Sequence, residues 1–255
     1  MGAPFEIYRH RPTNVTSYVI DLYTKDGTLP GYSSWIVLVP EYNVVISLLA
    51  AGEQILGALR QTVLSAVLPA LQNTTRQQAS DLFAGSYEAV TPGLNTSLTL
   101  IVDDPGPGLL VKSLVTNGTA LPILLRTLGL VTANTRLYPT GLRAQGRKYS
   151  PSSDPEITEY LGFKVAFDLP PPTGPRPEGF LAELSGCIAW GAVDGLVYGN
   201  VGLDEVVIGV GKDGKAREIE LRGLRVVLRR KGGLGDTPFA QGVGYGSARH
   251  QKPFS

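Results

Sequence analysis

The tightest constraint on this chain is a single change of hydrophobic period between two strand-rich blocks. Phe5 to Arg9 and Tyr18 to Thr24 are short runs rich in β-branched and aromatic residues, bounded by turn formers. Trp35 to Val39 and Val44 to Leu49 are apolar runs separated by Pro40-Glu41-Tyr42-Asn43, which reads as a hairpin. From Glu53 the period lengthens. Leu56, Leu59, Val63, Val67 and Ala70 recur at spacings of three and four, the mark of one helix face. Glu53 in the first turn complements the helix dipole. Pro69 is expected to kink or end the helix, with the polar stretch Gln72 to Ser80 as its continuation.

Past Gly85 the strand signals return and persist to Lys231. They include Ser97 to Val102, Leu109 to Val115, Phe163 to Phe167, Val206 to Val210 and Glu218 to Leu228. Ala120 to Leu128 reads as a short helix, and Pro170 to Pro177 as an exposed loop. Short strands at this density predict a sandwich or a partly closed barrel. The last 24 residues carry six glycines and read as a mobile tail. At 255 residues the chain is one large domain or two modest ones. The expected class is α+β, divided into 1–84, a mostly-β domain 85–231 and the tail 232–255.

Several function classes are excluded by composition. A formal net charge of +1 argues against nucleic acid as a partner, since that affinity comes largely from neutralising phosphates. One cysteine, Cys187, and two histidines, His10 and His250, leave little for a disulfide framework, a zinc centre or a histidine-based triad. No metal and no cofactor is expected. Met1 to Arg11 holds no apolar core for a signal peptide, and Trp35 to Ala51 is broken by Pro40 to Asn43, so no membrane span is expected. Four of the seven asparagines, Asn14, Asn73, Asn95 and Asn117, nevertheless lie in Asn-x-Ser/Thr sequons. Ser and Thr make up 34 of 255 residues, so chance predicts about one sequon. The excess points to a surface shaped in the secretory pathway.

Two motif matches are better read as structure. Gly209-Val210-Gly211-Lys212-Asp213-Gly214 matches a dinucleotide pattern, but Lys215 to Leu221 alternates like a strand, which makes Lys212-Asp213-Gly214 a hairpin turn. Arg222, Arg225, Arg229, Arg230 and Lys231 read as a solvated face of an edge strand. The informative stretch is Tyr23-Thr24-Lys25-Asp26-Gly27-Thr28-Leu29-Pro30-Gly31-Tyr32-Ser33-Ser34. A Lys-x-Gly at a strand end, followed by a small-residue strand, sets an ammonium beside open backbone. The ammonium can pair with a carboxylate, and glycine admits close approach of a ligand.

That segment resembles the third box of serine β-lactamases and penicillin-binding proteins, and its flanks resemble the fungal secreted β-lactamase-like serine hydrolases. The resemblance rests on Gly2-Ala3-Pro4-Phe5-Glu6-Ile7-Tyr8-Arg9, Ile36 to Tyr42, Phe83-Ala84-Gly85-Ser86-Tyr87, Arg136-Leu137-Tyr138-Pro139-Thr140-Gly141-Leu142 and Val193 to Gly199, in that order. It implies a β-lactamase/transpeptidase-like antiparallel sheet with its C-terminal helix, incomplete here, followed by the mostly-β domain. The family's Ser-x-x-Lys box, which supplies nucleophile and base, has no counterpart, since no serine is followed by lysine three positions later. Tyr198-Gly199-Asn200 matches a second family box as a string but lies far beyond the third. The resemblance therefore implies the C-terminal part of a secreted hydrolase, without catalytic residues of its own. Lys25, Gly27, Tyr32 and Ser33 are its expected substrate-binding residues, a small acyl or peptide-like ligand the expected substrate class. Exposed sheet edges and faces predict association with a missing N-terminal part or another chain. Cys187 is a buried thiol or a partner for a thiol in that part. The alternative is a non-catalytic, β-barrel-like binding or interaction module.

Overall fold

A computed structural model of the chain describes residues 4–11, 19–52, 56–103, 106–127, 134–145, 154–168, 195 and 197–232. Asn14, Glu53, the proline-rich stretch 170–177, Cys187 and the tail from 233 onward lie outside the described residues.

The first block is a four-stranded antiparallel sheet in chain order: β1 (Glu6–His10), β2 (Ile20–Leu29), β3 (Tyr32–Val39) and β4 (Val44–Ala51). Alternation sorts its two faces. Ile20, Leu22, Trp35, Val37 and Val39 are buried on one face, with Ile46 and Leu48 packed beside them. The β3–β4 link is a 3-10 turn, Pro40–Tyr42, closed by Asn43 in the left-handed region at φ 52°. Asparagine tolerates that conformation better than other non-glycine residues.

α1 (Leu56–Phe83) follows as one 28-residue helix. Pro69 lies inside it and does not end it. The missing proline N–H forfeits one backbone bond, and packing at both ends of the helix offsets the loss. Leu56, Leu64 and Leu68 pack under the sheet, whereas Ala79 and Phe83 pack against the second block. The buried stripe is rotated from the face expected around Leu59, Val63, Val67 and Ala70, and Ala70 is exposed. The cause is Arg60, which lies between Leu56 and Leu64 at helical spacing. Its guanidinium stacks 4.8 Å above Trp35 and pairs with Asp26 at 2.8 Å, so a cation turns inward where periodicity alone sees a polar face.

The second block is a closed barrel of eight antiparallel strands, where a sandwich or partly closed barrel was expected. Around the ring run β6 (Ser97–Ile101), β5 (Gly85–Ala89), β15 (Val226–Arg230), β14 (Ala216–Leu221), β13 (Glu205–Gly211), β10 (Ile157–Asp168), β9 (Asn134–Gln145) and β7 (Leu109–Thr116). Pairing of β7 with β6 closes it. The short β8 (Thr119–Ala120) pairs with β7 outside the ring, and α2 (Leu121–Thr127) is the helix expected there. Tyr87, Leu98, Leu100, Ile208, Ile219 and Leu228 are almost wholly buried in its core. The chain is thus mostly β.

One expected strand changes form. Glu218 to Leu228 is interrupted by a 3-10 turn, Arg222–Leu224, ended by Arg225 at φ 55°. The basic cluster is therefore no edge face, because β15 is paired on both sides. Arg222 pairs with Glu205, Arg229 with Asp154 and Lys231 with Glu88, while Arg225 lies 6.0 Å from the Tyr198 ring. Arg230 donates to the carbonyls of Ala84 at 2.6 Å and Leu82 at 3.4 Å, capping the end of α1 with a cation. Lys212-Asp213-Gly214 forms the turn between β13 and β14, with Gly214 at φ 75°.

Candidate functional site

β2 runs through Leu29 rather than ending near Thr24, because Tyr23 to Leu29 pairs residue for residue with Leu38 to Tyr32. Lys25 consequently sits within a strand, not at its end. Parity then distributes the candidates. Thr24 and Asp26 share the helix-covered face with Trp35, whereas Lys25 and Gly27 share the opposite face with Ser34, Ile36 and Tyr32. Ser33 has the parity of Trp35, so Ser34 is the serine that shares a face with Lys25.

On that outward face Lys25 Nζ lies 3.3 Å from Glu6 Oε1 with about half of its side chain exposed. The Gly27–Ser34 pair is close: Ser34 Oγ donates to the Gly27 carbonyl at 3.3 Å. A Cβ on Gly27 would stand 2.6 Å from that hydroxyl, which would have to rotate away to admit it. Gly27, Tyr32, Ser33, Ser34 and Leu49 border an open cleft of about 560 Å³ at the hairpin end. Lys25 lies beyond its border. Among the described residues, no histidine or cysteine stands beside Ser33 or Ser34, and no three His, Cys, Asp or Glu side chains gather as a metal site. The geometry presents a cation, a hydroxyl and open backbone along two neighbouring strands.

The same face is rich in exposed apolar side chains. Leu49 is 79% exposed, Val45 62% and Tyr32 65%, with Ile36 and Ile7 half-open beside them. Contiguous exposed apolar side chains give a physical basis for association. We expect the double substitution Ile36→Lys, Leu49→Lys to shift the chain toward monomer in light scattering while leaving its melting temperature within a few degrees. An unchanged oligomer distribution would contradict this.

Tyr198-Gly199-Asn200 is a tight hairpin. Gly199 at φ 57° and Asn200 at φ 63° form the two-residue turn between β11 (Val197–Tyr198) and β12 (Val201–Gly202). The string match to a catalytic box is therefore turn chemistry. Asn73 is exposed on α1, and Asn95 and Asn117 are exposed on adjacent loops, where the Gly118 amide donates to the Asn95 carbonyl at 2.8 Å.

Sequence reasoning missed a second concave region. The C-terminal half of α1 lies over one side of the barrel, and between them is a cavity of about 540 Å³. Only the helical continuation past Pro69 signalled a wall there. Glu41 reaches its border from the sheet block. Burial, and then the nearby Asp21 carboxylate, raise the Glu41 pKa above the ordinary carboxylate range. A raised value means that the proton is held more tightly in the folded chain. The associated stability is complete below the ordinary value and is lost as pH rises through the shifted one. Glu41→Gln should therefore melt higher than the parent at pH 8 and alike at pH 4. A gain of equal size at both pH values would exclude titration as its cause.

No helix among the described residues is long and apolar enough to cross a membrane. Residues 75–232 match the family described as "Beta-lactamase-like-like, C-terminal domain". That match starts inside α1, before the barrel. The chain is 30% identical over 254 residues to a "Beta-lactamase-like protein" of Arthroderma benhamiae, covering 91% of this chain and 41% of the relative. It is 27% identical over 185 residues to a "Probable hydrolase M10" of a Phoma species, covering 68% of this chain and 30% of that protein. A "Probable hydrolase clz13" of Cochliobolus lunatus is 31% identical over 133 residues, 49% of this chain and 21% of that protein. The chain thus spans less than half the length of these curated relatives. No solved structure matches it significantly.

Proposed function

The chain belongs to the family of β-lactamase-like C-terminal domains, and from that premise we propose that it is the C-terminal region of a secreted, β-lactamase-related serine hydrolase that supplies a substrate-facing wall without the nucleophile. The observation that carries this reading is the outward sheet face. It combines Lys25, Gly27 and Ser34 with uncovered Ile36, Val45 and Leu49, so recognition groups lie on a surface that is apolar enough to receive another element. On this reading residues 1–84 are the end of the catalytic domain and 85–231 a barrel domain attached to it. Lys25 attracts the substrate carboxylate, Gly27 and Ser34 border the acyl group, and the serine and its base come from the region that docks on this face. Acyl transfer needs nucleophile, base and oxyanion donors in one constellation, and the wall contributes binding alone.

Sequencing the transcript upstream of the Met1 codon tests the reading. It expects an in-frame Ser-x-x-Lys box. An in-frame stop immediately upstream would remove the hydrolase assignment and leave a free-standing binding module. Secretion is proposed on the sequon excess, supported by exposure of Asn73, Asn95 and Asn117. Produced in a secretory fungal host, the chain should lose mass on glycosidase treatment, in steps abolished one by one by Asn→Gln at these positions. A mass unchanged by glycosidase would contradict secretion by this route.

A further inference from the structure

We propose that the cavity between α1 and the barrel is a binding site for a single-chain aliphatic carboxylate, a fatty-acid-like ligand, separate from the sheet face that carries Lys25. The inference stands whether or not the chain takes part in acyl transfer.

Shape comes first. One stripe of α1, Gln72, Thr75, Arg76, Ala79 and Phe83, forms a wall. Opposite it stand Leu109, Leu137, Leu161 and Phe163 from three barrel strands. Phe83 and Phe163 meet edge to face at 5.8 Å, tying the helix to the barrel beside the cavity. An interior is normally packed to crystal-like density. A space of about 540 Å³ between well-anchored elements is far larger than a packing defect, and falls in the range of small-ligand pockets.

A built distortion shapes the mouth. Leu161 pairs with Arg143 and Phe163 with Pro139, so Thr140-Gly141-Leu142 of β9 stands opposite the single residue Gly162 of β10. Thr140 Oγ1 donates to the Gly162 carbonyl at 2.9 Å and accepts from the Leu142 amide at 3.3 Å, which fixes the bulge. Gly141 accepts the left-handed conformation that the bulge requires, at φ 79°. The effect is to lift Leu142 onto the lip, 73% exposed. A scattered exposed leucine is ordinary, but here a bulge held by side-chain bonds places one at the entrance to an apolar cavity. Bulges of this kind recur at barrel rims and beside binding sites.

The ligand class follows from the wall chemistry. The barrel side offers mostly leucine, phenylalanine, proline and glycine carbon, with Arg143 of β9 as its one charged side chain. The polar lining comes from Arg143, from Gln72, Thr75 and Arg76 of α1 and from Glu41 and Tyr42 of the sheet block, two cations and one carboxyl among them. Arg143 is exposed and pairs with Glu159 at 3.3 Å across solvent, an exchangeable surface contact. An aliphatic tail inside and an anionic head at the arginines satisfy both parts of the site.

Isothermal titration of the full chain with octanoate, decanoate and dodecanoate, each below its micelle concentration, tests this directly. Each added methylene should tighten binding about fourfold until the tail fills the cavity. Dodecyltrimethylammonium should bind at least about tenfold more weakly than dodecanoate. Thr75→Trp, made from an exposed position at the border, should weaken dodecanoate by about tenfold or more with an unchanged melting temperature. Leu142→Asp serves the same purpose at the lip if the tryptophan lowers stability. Affinity that ignores tail length, a cation that binds as well as the carboxylate, or blocking variants that bind like the parent would each overturn the proposal.

Discussion

Arg136→Leu should cost the chain about 3–5 kcal/mol in urea denaturation, as expected when one partner of a buried ion pair is removed. The Arg136 side chain is 4% exposed, and its two terminal nitrogens donate to the two oxygens of Asp103, each at 2.7 Å. One of them also reaches the Pro107 carbonyl at 3.4 Å. Gly106 lies against the guanidinium so closely that a Cβ would stand 2.7 Å from its central carbon. The arginine thus fastens the loop before β7 to β9, the two strands that meet late in the ring. Leucine would fill the volume but leave the Asp103 carboxylate without its guanidinium. The double variant Arg136→Leu, Asp103→Leu should be less damaging than the two single effects added together, because the second change removes the uncompensated charge. Additive losses would mean that the pair is not the unit of stability.

Tyr87→Ala should be comparably severe, about 3–5 kcal/mol, the usual loss on truncating a large buried aromatic. Tyr87 is wholly buried at the start of the barrel. Its hydroxyl donates to the Phe83 carbonyl at 2.7 Å and accepts from Arg230 at 3.3 Å, and the Arg230 guanidinium lies 5.6 Å from the ring. Desolvation by burial raises its pKa, with the Arg230 charge opposing, so the phenol stays protonated and able to donate. Tyr87→Phe separates the two contributions. It keeps the ring and loses the hydroxyl, and should cost only about 0.5–1.5 kcal/mol. Equal losses for the alanine and phenylalanine variants would place the stability in the hydroxyl network rather than in the packing. Helix end, first barrel strand and last barrel strand meet at this seam. It is also where the sequence reading divides the chain, within Phe83-Ala84-Gly85-Ser86-Tyr87.

That division was legible because hydrophobic period changes there, from three and four to two, with Gly85 at the junction. Ring closure was not legible. It depends on β6 pairing with β7 and β7 with β9, and local propensity carries no information on which distant strands meet. β9 was not read as a strand, and only the end of β10 was, because Pro139, Gly141 and Gly162 look like breakers in sequence while in the fold they build and border the bulge at the cavity mouth. The run Glu218 to Leu228 concealed a turn, since Arg225 adopts the left-handed conformation without the glycine or asparagine that advertises it. At the sheet face the types were legible and one parity was not. Alternation sets Ser34 apart from Trp35, Val37 and Val39, but placing it with Lys25 needs the β2–β3 register, which local sequence does not carry. Arg60 misled the helix face because a cation that stacks on tryptophan counts as polar in any periodicity.

On the proposed function, the outward sheet face recognises substrate and the chain alone does not cleave it. The most direct test is to incubate the purified full chain with nitrocefin and short acyl esters, with and without a serine-reactive fluorophosphonate, and to follow turnover together with protein mass. The account predicts no hydrolysis above buffer, no burst and no added mass, in parent and Lys25→Ala alike. Turnover that is blocked by the probe, with one equivalent of label on Ser33 or Ser34, would contradict it.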